Sequence, residues 1–159
     1  MDRLQRFGSR RVTVTGGEPL LQPQTPDLVR DLLDSGYQVG VETNGSYDIG
    51  CLDRRCTRVM DVKCPSSGMQ AHNRLANFAL LNPGDQVKFV IADRTDFQFA
   101  CHIADTLGSD FPPGDILFSA VHPRLPAAEL AKWMLVKGID ARLQIQLHKY
   151  LWPDRDRGV

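Results

Sequence analysis

The stretch VTVTGGEPLL, residues 12–21, places a carboxylate directly after two glycines at the end of a β-branched run. Val12, Thr13, Val14 and Thr15 favour a strand. Gly16 and Gly17 allow positive φ and carry no side chain, so another molecule can approach bare backbone. Glu18 adds a negative charge at that edge, and Pro19 withholds a ladder donor. A plain Gly-Gly turn with a solvated glutamate fits the same letters, because short glycine motifs are weak signals. Further polar groups close later strand-like runs: Glu42, Thr43 and Asn44; Asp61 and Lys63 flanking Val62; Ser119; His148 and Lys149. Each alone is an ordinary loop side chain. Together they suit a zwitterionic ligand, with carboxylates meeting an ammonium and hydroxyls, lysine or backbone donors meeting a carboxylate.

Such a set needs a scaffold that brings strand ends to one face. The sequence predicts strands at 12–15, 38–43, 58–63, 86–92, 116–119 and 141–147. Helical spacing runs from Pro26 to Gly36 through Leu28, Val29, Leu32 and Leu33, with Thr25 as N-cap. A second helix is predicted over 95–107, with Phe97, Cys101, Ile103, Ala104 and Leu107 inward. A third covers 126–137, with Leu130, Trp133 and Met134 inward. A helical patch is expected at 72–81. Strand and helix alternate every 25 to 30 residues or so, the βαβ rhythm of a parallel sheet. Ligands of such sheets gather at the carboxyl ends of the strands. The fold class is therefore α/β, either an incomplete (β/α) barrel or an open doubly wound sheet. Lys88 alternates with Val87 and Phe89, so it faces either the barrel interior or the helix layer.

The chain has 159 residues, and 19 basic residues balance 19 acidic ones. That balance points to neither nucleic acid nor an anionic membrane. No apolar run approaches the roughly 20 residues of a membrane span. Residues 1–11 lack the apolar core of a signal peptide, so a cytoplasmic protein is expected. The four cysteines, Cys51, Cys56, Cys64 and Cys101, form no CxxC pair and are expected to be free thiols.

GGEP closing a strand resembles the radical S-adenosylmethionine (SAM) superfamily, in which this element meets the methionine end of SAM. ETNG at 42–45, DVKCP at 61–65 and LQIQLHKYLW at 143–152 together resemble the 7-carboxy-7-deazaguanine synthase family. The resemblance favours an incomplete parallel (β/α) barrel of about six strands, with residues 1–159 as one radical SAM-like domain. It implies conversion of 6-carboxy-5,6,7,8-tetrahydropterin to 7-carboxy-7-deazaguanine with loss of ammonia. It also implies SAM, a [4Fe–4S] cluster and Mg2+ as cofactors, a flavodoxin or ferredoxin as reductant, and a homodimer. By motif position, Thr15, His148 and Pro153 would meet the substrate, His148 at its carboxylate. Gly17, Glu18, Asp61, Val62, Lys63 and Ser119 would contact SAM. A different radical SAM enzyme and a non-catalytic SAM-binding remnant are the alternatives.

One departure from the resembled pattern is large. The superfamily carries a three-cysteine loop, commonly CxxxCxxC, upstream of GGEP. Eleven residues precede Val12 here, and none is cysteine. The family's amino-terminal substrate arginine and magnesium-binding threonine also lack counterparts. Cys51, Cys56 and Cys64 follow the second strand at the wrong spacing to replace the cluster ligands. The expectation is an amino-terminally truncated chain, from a fragment, a mis-called start or a degenerate copy, inactive by itself.

Overall fold

A computed structural model describes residues 4 and 6–152, with the side chains of His148 and Tyr150 outside that description. The chain divides into two compact units, one of Met1–Asp61 with His72–Gln86 and one of Val62–Ala71 with Val87–Val159. The class is α/β. Within each unit the strands lie side by side in chain order, and every described pairing is parallel.

In the first unit, β1 (Arg11–Val14) pairs with β2 (Gln38–Thr43), and β2 pairs with β3 (Thr57–Val62). Helix α1 (Thr25–Asp34) joins β1 to β2. Register and burial separate two sheet faces. Val39 and Val41 are buried in one cluster with Val29 and Leu32 of α1, and Val12 and Val14 pack against it. Each such side chain contributes about 1.5–3 kcal/mol when removed from water. Thr13, Gly40, Glu42, Val59 and Asp61 alternate onto the opposite face and are half-buried or exposed. Arg58, on the apolar face, is 2% exposed and ion-paired with Asp85. Its Nε donates to Asp85 Oδ2 and its backbone N–H to Oδ1, both at 2.7 Å. A pair this buried persists only with such donors in place.

In the second unit, β4 (Gln86–Ile91) leads into α2 (Arg94–Thr106), then β5 (Ile116–Ala120), α3 (Ala127–Lys137), β6 (Arg142–Gln144) and α4 (Leu147–Leu151). Phe89 and Phe118 meet edge to face at 5.5 Å, Phe118 meets Phe97 at 6.0 Å, and Phe97 meets Trp133 at 5.7 Å. This ladder fastens β4 and β5 to both long helices. Lys88 alternates away from it and is half-buried on the face that carries Ser119 and Gln144. That face lies away from the helices.

Several predicted boundaries shift. Leu28 is 48% exposed, because the apolar stripe of α1 runs through Val29 and Leu32. Thr25 is the first helical residue rather than the cap, and its hydroxyl donates to Pro19 O at 2.6 Å. The patch at 72–81 is 3-10 helix, Gln70–His72 and Leu75–Leu80. The last strand stops at Gln144, and Leu147 already opens α4. Thr15 and Lys63 each lie one residue beyond their strands.

Candidate functional site

In the first unit, Gly16 and Gly17 adopt φ of +102° and +56°. No atom lies within 4 Å of where a Cβ would stand on Gly17, so its backbone faces open space. The following carboxylate folds back. Glu18 Oε1 accepts from the Leu20 N–H at 3.0 Å and the Thr43 hydroxyl at 2.8 Å, and Oε2 accepts from the Asn44 N–H at 2.6 Å. A carboxylate offers about four acceptor sites. Three are taken by donors among the described residues, and the group is half-buried.

The loop after β2 is fixed in turn. Asn77, fully buried, donates through Nδ2 to Gly45 O at 3.0 Å and Tyr47 O at 2.8 Å. Gly45 sits against Met60, whose Cγ would be 2.8 Å from any added Cβ. Only glycine fits there, so the Asn44-Gly45 turn holds the Asn44 N–H toward Glu18.

In the second unit, the loop after β3 is held by Asp96 in the first turn of α2. Its fully buried carboxylate accepts from the Ser66 N–H at 2.9 Å, the Ser66 hydroxyl at 2.5 Å and the Ala92 N–H at 2.9 Å. Asp93 caps the same helix by accepting from the Asp96 N–H at 3.0 Å, and Arg124 pairs with Asp93 at 3.0 Å. Val62, the last residue of β3, is buried, and Lys63, which starts this loop, is half-buried. Ser119 and Gln144 are register neighbours at the ends of β5 and β6. Ser119 Oγ and Gln144 Oε1 are buried without a hydrogen-bond partner among the described residues. A cavity of about 360 Å3 lies past these strand ends, lined by Ala120, Leu125, Ala127, Gln144 and Gln146 among others.

The structure thus gathers Gly17, Glu18, Thr43 and Asn44 in one unit, with exposed Thr15 beside them in sequence. Asp61 is half-buried on the polar face of β3. The backbone of His148 belongs to α4, while its side chain and Pro153 lie outside the described residues. Asn77, Ser66 and Asp96 escaped the sequence reading. Only Asp96 left a trace there, as the second acid of an Asp-x-x-Asp helix start.

Glu18 and the bare Gly17 backbone fit the amino-acid end of SAM. The cysteines do not fit an iron–sulfur cluster. All four are free; Cys51 is exposed, and Cys56, Cys64 and Cys101 are buried. Burial pushes the Cys56 thiol up to about 11 and also raises Cys51 and Cys101. Cluster ligation needs thiolates. Among the described residues, no three His, Cys, Asp or Glu side chains converge as a metal site. Among them too, no helix is long and apolar enough to cross a membrane.

The class defined so far is an α/β chain whose polar groups collect past the carboxyl ends of parallel strands. No family model matches it. Curated relatives do. The 7-carboxy-7-deazaguanine synthase of Koribacter versatilis is 36% identical over 162 residues, covering 93% of this chain and 71% of the relative. That of Chlorobaculum tepidum is 40% identical over 165 residues, covering 100% of this chain and 73% of the relative. The Clostridium acetobutylicum protein of the same name is 34% identical over 161 residues, covering 98% and 72%. This chain belongs to the 7-carboxy-7-deazaguanine synthase family, a family of enzymes.

Proposed function

We propose that this chain carries the SAM- and substrate-holding residues of a radical SAM lyase that converts 6-carboxy-5,6,7,8-tetrahydropterin to 7-carboxy-7-deazaguanine. The observation that supports it most is the Glu18 cluster: a half-buried carboxylate held by three donors, beside bare Gly17 backbone. In this reading Glu18 accepts from the SAM ammonium, and Gly17 offers its backbone to the same end of SAM. Asp61 contributes from the end of β3; Val62, Lys63 and Ser119 are the SAM contacts of the second unit. Thr15, His148 and Pro153 belong to the substrate, with His148 meeting its carboxylate. Bound SAM supplies the radical that starts the ring contraction; the chain's residues hold and orient.

In this reading residues 1–159 act as one radical SAM-like domain that is inactive by itself, because no cluster-forming ligand set converges among its described residues. The raised thiols and the lack of a converging ligand group among the described residues favour that. The enzyme uses Mg2+ and a [4Fe–4S] cluster, for which no converging ligand set is found among the described residues. It takes electrons from a flavodoxin or ferredoxin, works in the cytoplasm and forms a homodimer.

Two measurements test the reading. Equilibrium dialysis with SAM is expected to show binding that E18Q weakens. Anaerobic reconstitution followed by iron and sulfide analysis is expected to find no cluster. Absence of SAM binding defeats the ligand assignment; a stoichiometric cluster defeats the claim of inactivity.

A further inference from the structure

We propose that Asp96, which never needs to touch a ligand, is a positioning residue that sets the SAM-facing conformation of the loop after β3. The proposal rests on the reading above, in which Val62 and Lys63 meet SAM. Three observations carry it. Asp96 is 0% exposed, so water does not solvate its carboxylate. Its bonds go instead to donors on two separate segments, Ser66 in the loop and Ala92 at the end of β4. It sits in the first turn of a 13-residue helix, where the positive end of the helix dipole favours a carboxylate.

The loop itself is built to receive such a clamp. Ser67 Oγ donates to Cys64 O at 2.6 Å and accepts from the Met69 N–H at 3.1 Å. Gly68, at φ +68°, lets the chain turn away. The segment 64–69 is therefore a preformed turn, and Ser66 fastens it to α2 through Asp96. Val62 ends β3, and Lys63 lies between it and that fastening. A hydroxyl and a backbone N–H of one residue, gripped by one carboxylate, restrain both position and rotation. Asparagine at 96 keeps one acceptor but turns an amide donor toward the Ser66 or Ala92 N–H groups, which are donors themselves.

The test uses the full chain, with SAM as the probe. SAM dissociation constants come from equilibrium dialysis, and loop order from hydrogen exchange over 62–69. D96N is expected to weaken SAM binding about tenfold, since small misplacements cost up to ~100-fold, and to speed exchange over the loop. S66A is expected to weaken binding less, and S66T, which keeps the hydroxyl, to match the parent. L130A, which cuts the buried core of α3, serves as the stability control. It should lower the melting temperature and leave SAM affinity and loop exchange unchanged. D96N or S66A that binds SAM as the parent does, with unchanged exchange over 62–69, overturns the proposal alone. Weakening by L130A equal to that by D96N also overturns it, because it marks a general stability effect. If D96N does not fold, S66A and S66T decide by the same criteria. If the parent chain binds no SAM, the functional reading fails and this proposal fails with it.

Discussion

Glu18 and Asp96 are both carboxylates that accept three hydrogen bonds, and both fasten a loop at the carboxyl end of a strand. They differ in what surrounds them. Glu18 is half-buried, with three bonds from the described residues on a group that offers about four acceptor sites, beside a glycine with open space at its Cβ position. Asp96 is fully buried, and it takes its donors from the exposed Ser66 of the loop and from the buried Ala92. The contrast separates two uses of one side-chain chemistry. A carboxylate that retains some exposure can trade water for a ligand cation. A carboxylate fully enclosed by fixed donors can only hold protein to protein.

Substitutions should break the two in different ways. The largest effect is expected from D96A, which leaves the buried Ala92 N–H unpaired and removes the acceptor of both Ser66 donors. A hydrogen bond to a charged group is worth about 1.5–3 kcal/mol, so a loss of about 3 kcal/mol or more is expected. Urea unfolding checks it; a loss under about 1 kcal/mol, the level of a single neutral bond, would show the clamp is dispensable.

E18Q comes next. It keeps one carbonyl acceptor and much of the local geometry, so stability should fall by only about 1 kcal/mol. SAM affinity should fall about tenfold, equivalent to about 1.4 kcal/mol. A variant that loses stability as heavily as D96A, with SAM affinity intact, would erase the distinction drawn above.

The smallest effect belongs to a third carboxylate, Asp53, held at the surface by Arg55. Hydrogen bonds from the Arg55 side chain and backbone lower it from 3.8 to about 2. Lowering in the folded state means the stabilisation is present above the ordinary value and disappears as pH falls through about 2. Carboxyl carbon chemical shifts followed by NMR should place the Asp53 midpoint near that value. Added salt should move it upward, because partly exposed pairs are screened. A salt-independent midpoint would mean that Asp53 is enclosed more like Asp96.

Much of the scaffold was legible because it rests on local signals. The β-branched run before Gly16, the Pro-Gly breaks and the helical spacing of Phe97, Cys101 and Ala104 each follow from residues close in sequence. The glycine pair was legible for the same reason, since positive φ has a short list of occupants. The clamps were not. Ser66 and Asp96 lie 30 residues apart, as do Tyr47 and Asn77. Nothing at either end announces its partner. Glu18 was read as a rim charge because no local rule says that it will cap the 3-10 turn Pro19–Leu21 and reach Thr43. The last strand was read too long because Gln144-Ile145-Gln146-Leu147 alternates like a strand, whereas Leu147 opens a helix.

The sequential strand order bears on how the molecule is made. Within each unit a strand pairs with the strand next to it in the chain, so no described pairing skips over an intervening strand. Pairings between near neighbours close short loops and form sooner than distant ones. A ribosome that has released β2 has already released its partner β1, and assembly can proceed in the order of synthesis.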